Sequence, residues 1–181
     1  MLNPRLGTLI AMIVMAAATR LLPHPPNLTS LTAVALFGGA YFSDRRLAFI
    51  VPFVALLVSD LTLGWYYSWS FMAFQPHMWV QYFAFALVVM LGMSLRESSG
   101  ALRIGGTTLA ASCLFFVVTN FGEWVFQPWY PKTGQGLVDA YVAAIPFFRN
   151  ALLGDAIYVA LLFGGFRLLE RNFVGLRAQA A

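Results

Sequence analysis

Apolar residues fall in long runs along the chain, cut by short clusters of Arg, Pro, Gly and Asn. The runs are Leu6–Leu22, Leu31–Phe42, Leu47–Leu63, Met78–Leu95, Thr107–Val125 and Asn150–Leu169. A helix needs roughly 20 apolar residues to cross a bilayer core, and most of these runs come close to that. The second is short: even extended back to Leu28 it covers about 22 Å at 1.5 Å per residue. A further stretch, Leu137–Phe148, is interrupted by Asp139 and Pro146 and reads as an amphipathic helix lying at the surface. The pattern therefore predicts an all-α integral membrane protein. It is one transmembrane domain over residues 1–181, a six-transmembrane-helix bundle with spans near 6–22, 28–42, 47–63, 78–95, 107–125 and 150–169.

Composition agrees. Only 10% of residues are charged and 60% are hydrophobic, with a mean hydropathy of +0.76, whereas a soluble domain carries about 25% charged residues. The net charge of +4 is spread over the ends of the runs. No basic stripe forms, and no nucleic-acid partner is expected. The single cysteine, Cys113, sits inside ASCLFFVV, which excludes a disulfide framework and a CxxC site. MLNPR followed by LGTLIAMIVMAAATR has part of a signal peptide's layout, with Ala16–Ala18 as small residues. Arg5 alone in the leading segment, and the ordinary helix end at Thr19-Arg20, favour a retained helix.

Six spans put both termini on one side, together with Arg5, Arg45, Arg46, Arg96, Arg103, Arg167, Arg171 and Arg177. Arg20, Lys132 and Arg149 fall on the other. The positive-inside rule then places both termini of this multi-pass protein in the cytoplasm. All five tryptophans, Trp65, Trp69, Trp79, Trp124 and Trp129, lie on the outer side. Three of them belong to LTLGWYYSWSFMAFQPHMW, a connection with no charged residue. Interfacial belts populate both faces of a membrane, so two readings stand: a lopsided belt, or an aromatic-walled pocket open to the outside.

Polar residues inside the runs share that asymmetry. Asp60, Asn120, Glu123, Arg149, Asn150 and Asp155 all fall in the outer half. A central Asp costs about 2.5–3.5 kcal/mol to insert, so these groups are expected to face the bundle interior or a wet cavity. The lower half lacks them, which argues against a proton relay or a channel and fits an outward cup sealed beneath by Leu, Val and Ala. Arg149 is expected to pair with Glu123, Asp60 or Asp155. The ligand-binding candidates are Trp65, Tyr66, Tyr67, Trp69, His77 and Trp79 from one wall, Asn120, Glu123 and Trp124 opposite, and Asp60, Arg149 and Asp155 for polar orientation. His24 and His77 form a weak metal or haem pair, and no metal site is expected. Gly7 with Ala11, and Ala35 with Gly39, are small-residue pairs that let helices approach. The first pair is the candidate for docking a partner. No phosphate-binding loop, HExxH or GxSxG occurs, so no catalytic residue is named and no enzymatic activity is expected.

TAVALFGGAYFSDRRLAFIVPFVALLVSDLTLGWY resembles the second-to-third helix region of S components, the substrate-binding membrane subunits of energy-coupling-factor (ECF) vitamin transporters. NFGEW with YPKT, and FFRNALLGDAIYVALLFG, are similar to uncharacterised S-component-like bacterial proteins. The resemblance runs from about Leu6 to Leu169. It implies a six-helix fold that binds a vitamin or related micronutrient from outside for uptake. It also implies docking on an ECF coupling subunit with two ATPases, or solitary action. The family's docking signature is an AxxxA pair on the first helix, where this chain has Gly7 and Ala11. In size and in the loop before the fourth helix the chain looks nearest to solitary cobalamin-type members, with AFQPH and His77 where those carry a cobalt-ligating cysteine. Cobalamin is then a substrate and not a resident cofactor; none of the latter is implied. Two rivals remain: a non-transport membrane assembly or scaffold subunit with an outward aromatic docking surface, and an intramembrane enzyme or haem protein using His24 or His77.

Overall fold

The computed structural model describes residues 3–66, 76–96 and 100–177, and among these there are helices and connections but no β-strand. Helix α1 (Pro4–Ala18) starts where the Asn3 side chain accepts from the Arg5 backbone N–H at 3.0 Å. Pro4 fills the first turn, where a missing donor costs nothing. A 3-10 turn, Thr19–Leu21, closes it. Then come α2 (Leu31–Tyr41), α3 (Arg45–Tyr66), α4 (Pro76–Met93), α5 (Ala101–Phe126) and α6 (Gly134–Asn172). Every one except α2 is long and apolar enough to cross a membrane. The chain is a multi-pass, all-helical membrane protein.

Contacts between helix ends give the direction of each element. The start of α1 meets the end of α6 through the Arg5–Glu170 ion pair. Arg96, just past α4, reaches the end of α2, and Arg103 at the start of α5 donates to Ser94 O at 2.6 Å. The described residues nearest the two termini therefore share one end of the bundle, with the α1–α2 and α5–α6 connections, the end of α3 and the start of α4 at the far end.

Helix α2 is the axis. Thr32 to Gly39 are all buried, and α2 packs on α1, α3, α4, α5 and α6. A helix apolar all round belongs in a core, which explains a run of LTAVALFGGA with no polar face. The closest approach is to α4. A Cβ added to Gly39 would lie 2.2 Å from Val89 O, and one added to Gly92 would lie 2.4 Å from Leu36 O. Glycine at both positions lets the two backbones touch. The small-residue pair Ala35/Gly39 is thus an internal packing face. At the terminal end Phe37 and Tyr41 pack edge-on or tilted against Phe163 and Phe166, with centroids 4.7–5.8 Å apart. Leu36, Val88, Val89 and Ile104 complete this seal. Arg96 donates to Gly39 O at 2.9 Å and to Phe42 O at 2.7 Å, which satisfies carbonyls left open at the end of α2. Outside the membrane-spanning segments, burial and then the neighbouring Arg45 pull the Arg96 guanidinium below its ordinary pKa.

One element differs from expectation. The amphipathic segment before the last span is not a separate surface helix: Gly134–Asn172 is continuous over 39 residues. The two supposed breakers are absorbed. Asp139 accepts from Gln135 Nε2 at 2.9 Å on the exposed face. Pro146 removes one donor, and the turns on either side hold the helix together. A single turn of wider helix, Ala160–Gly164, interrupts it lower down. At 1.5 Å per residue α6 is about 58 Å long, nearly twice the roughly 30 Å core.

Candidate functional site

The length of α2 creates the site. Its 11 residues fill about 17 Å of depth, roughly half of the hydrocarbon core. Above its N-terminal end the bundle has no axis. A cavity of about 280 Å³ occupies that space. Asn27, Thr29 and Thr32 supply its centre, and Gln81 of α4 one wall. Helix α5 contributes Ser112, Phe115, Phe116, Asn120 and Glu123, and α6 contributes Phe147, Phe148 and Asp155. These positions on α5 recur every three or four residues, so they form one face.

Asp155 is 3% exposed at the bottom of this space. Ser112 Oγ donates to its Oδ2 at 2.5 Å, and Thr32 of α2 lines the same space. The carboxylate so links α5 and α6. Phe116 and Phe148 stack in a tilted pair, centroids 4.4 Å apart. Tyr141 edges against Phe116 and donates to Val117 O at 2.7 Å. Asn120 Nδ2 donates to Phe116 O at 2.8 Å, so its side-chain oxygen remains as an acceptor. Glu123 is exposed at the mouth.

Beside the cavity is a second polar cluster. Arg20, in the 3-10 turn after α1, pairs with Asp60 of α3 at 2.7 Å, both side chains being at most 10% exposed. Arg20 also donates to Ser59, and Tyr82 of α4 donates to Asp60 Oδ2 at 3.2 Å. Arg20 lines the cavity as well. Its Nε finds no partner among the described residues. A charge pair so far out of water holds only if the ions face each other and share further hydrogen bonds, which Ser59 and Tyr82 provide.

Of the residues singled out from the sequence, Asn120, Glu123 and Asp155 come together in the cavity. Asp60 is buried nearby and is engaged by Arg20, where Arg149 was expected. Arg149 is exposed, and the ion pairs among the described residues are Arg5–Glu170 and Arg20–Asp60. The described members of the aromatic set do not wall the cavity. Trp65 is 84% and Trp79 60% exposed, and Tyr66 is exposed too. Trp124 donates from its indole to Pro131 O at 2.9 Å and carries Lys132 over its ring. His77 Nδ1 accepts from Gln127 Nε2 at 2.9 Å, which ties the start of α4 to the end of α5. Tyr67 and Trp69 lie outside the described residues. The rings that do line the space are phenylalanines, and their spacing on α5 was the available signal. Arg20 was missed because it stands at the end of a run, where a basic residue is routine. Gly7 and Ala11 are exposed on α1, and a Cβ at Gly7 would meet nothing within 4 Å.

The fold and cavity define a helical membrane protein with a half-depth polar pocket at the end away from its termini. The chain belongs to the family of unknown function DUF6580, whose family model matches residues 1–179. No curated protein and no solved structure matches it.

Proposed function

We propose that this is a membrane-embedded binding protein for a small micronutrient, working in uptake in the manner of an ECF S component. The observation that carries the reading is the cavity above the short α2, mixed polar and aromatic and closed beneath by packed Phe, Leu and Val. Ligand sites are concave, largely apolar and carry a few convergent polar groups. Asn120, Ser112, Asp155 and the phenylalanines answer that description. At about 280 Å³ the space sits at the small end of the roughly 300–1,000 Å³ of such sites. That favours a one- or two-ring vitamin over cobalamin. The eight arginines at the terminal end against three basic residues at the other favour cytoplasmic termini and a cavity facing the periplasm of a bacterial inner membrane.

The exposed Trp65, Trp79 and Trp129 favour a second reading, a scaffold subunit that docks a partner on this rim. One experiment addresses both. The detergent-purified protein is screened against vitamins by thermal shift, then as Phe116→Ala, Asn120→Ala and Trp65→Ala. Stabilisation lost in the first two variants and kept in the third supports the cavity. A shift indifferent to Phe116 and Asn120 removes the cavity as the site, and a stoichiometric copurifying protein lost in Trp65→Ala favours the scaffold.

A further inference from the structure

The cavity's charges are unbalanced in one direction. Asp155 is 3% exposed, and the side chain bonded to it, Ser112, is a neutral hydroxyl. It belongs to neither of the ion pairs among the described residues. The remaining residues, 1–2, 67–75, 97–99 and 178–181, contain no lysine, arginine or histidine. Each of the 11 lysines and arginines of the chain is therefore a described residue. The one basic side chain that lines the cavity, Arg20, is committed to Asp60 at 2.7 Å. Glu123 at the mouth adds a second carboxylate outside either ion pair.

We propose that the ligand of this cavity is an organic cation, with the Asp155 carboxylate at the floor as its counter-ion and the Phe116–Phe148 pair as its aromatic wall. The inference rests on the reading of the cavity as a small-molecule site and adds the charge of the molecule it takes. A cation over aromatic faces is held by the ring quadrupoles, and a carboxylate in a dry pocket strengthens the contact because little solvent screens it. The Ser112 hydroxyl steadies the carboxylate before the ligand arrives, without supplying a full positive charge. An anion entering the same space meets two carboxylates with no unpaired base to offset them. No group of three His, Cys, Asp or Glu side chains that could hold a metal ion occurs among the described residues, so a bare metal ion finds too few charged ligands here. The mouth carboxylate, Glu123, draws a cation in, and Asp155 retains it.

The test uses the full chain in lipid nanodiscs and four probes: thiamine and choline as cations, riboflavin as a neutral tricyclic ring system, and biotin as an anion. Affinity is measured by calorimetry on wild type, Asp155→Asn and Glu123→Gln. A cationic probe is expected to bind, to lose at least about tenfold in affinity in Asp155→Asn and to lose a smaller factor in Glu123→Gln. Cation binding unchanged in Asp155→Asn overturns the proposal. If that variant does not fold, association rates decide: a cation on-rate in Glu123→Gln equal to wild type overturns it, and a slower one supports it. Riboflavin or biotin binding in preference to both cations, and abolished by Phe116→Ala, overturns the charge assignment while leaving the cavity as the site. Silence from all four probes counts against both.

Discussion

Removing Asp60 leaves the Arg20 guanidinium charged and mostly enclosed, since its side chain is 10% exposed. Breaking a buried pair from one side costs about 3–5 kcal/mol. The Tyr82 hydroxyl loses its acceptor at the same time, about 1 kcal/mol more. Arg20 has one relief: it borders the cavity, and a long side chain can swing its head toward water. The lower part of the range therefore applies, and Asp60→Ala is expected to cost about 3 kcal/mol, more than a hundredfold in the unfolding equilibrium. Arg20→Met should cost about as much, because it leaves a buried carboxylate. Arg20→Met with Asp60→Leu removes both charges, and such replacements are often neutral or better. The double variant is expected within about 2 kcal/mol of wild type, for a coupling of about 4 kcal/mol or more. Denaturant or SDS unfolding of the four proteins, followed by tryptophan fluorescence, measures the cycle. Single variants that each cost under about 1 kcal/mol, or a double variant equal to their sum, would refute a buried pair that joins α1 to α3.

Gly92→Leu is expected to prevent assembly, since even a Cβ there lies 2.4 Å from the α2 backbone; normal yield and a monodisperse gel-filtration peak would contradict the backbone contact. Arg96→Ala exposes the carbonyls of Gly39 and Phe42 and should lower stability by about 1–3 kcal/mol, read from the unfolding midpoint; an unchanged midpoint removes its capping role. Reporter fusions after Arg177 and within the 127–133 connection should report cytoplasm and periplasm respectively, and the opposite pattern would invert the cavity's direction. His77→Ala should leave ligand-induced stabilisation intact while lowering the basal melting temperature, because its ring braces Gln127; loss of the ligand effect alone would give it a binding role.

Spans such as α3 and α5 were legible from their apolar runs, because a bilayer demands length and apolarity and little else. The shortness of α2 was legible too, set by the prolines before it and Asp44 after it. What it does was not, since burial on every side depends on five neighbours. Helix α6 escaped because Asp139 and Pro146 look like breakers; Asp139 is held by Gln135 on the exposed face, and Pro146 is carried by the helical turns on either side. In the site, Asn120, Glu123 and Asp155 stood out as polar groups inside apolar runs. Which base meets which acid did not: Asp60 is met by Arg20, 40 positions earlier, because helix rotation about the bundle axis decides that pairing. Aromatic density around Trp65 and Trp79 was visible, but its direction was not. Both rings turn outward, and the plainer Phe115, Phe116 and Phe148 line the cavity.

The brevity of α2 also bears on how the chain enters the bilayer. Eleven residues cannot reach both headgroup layers, so Leu31–Tyr41 gains nothing by partitioning sideways into lipid as an independent span. Its polar ends become tolerable only once α4 presents Gly92 and Arg96. Biosynthesis must then hold this segment in reserve until at least residue 96 has emerged, and the molecule's central post is put in place after some of the walls around it.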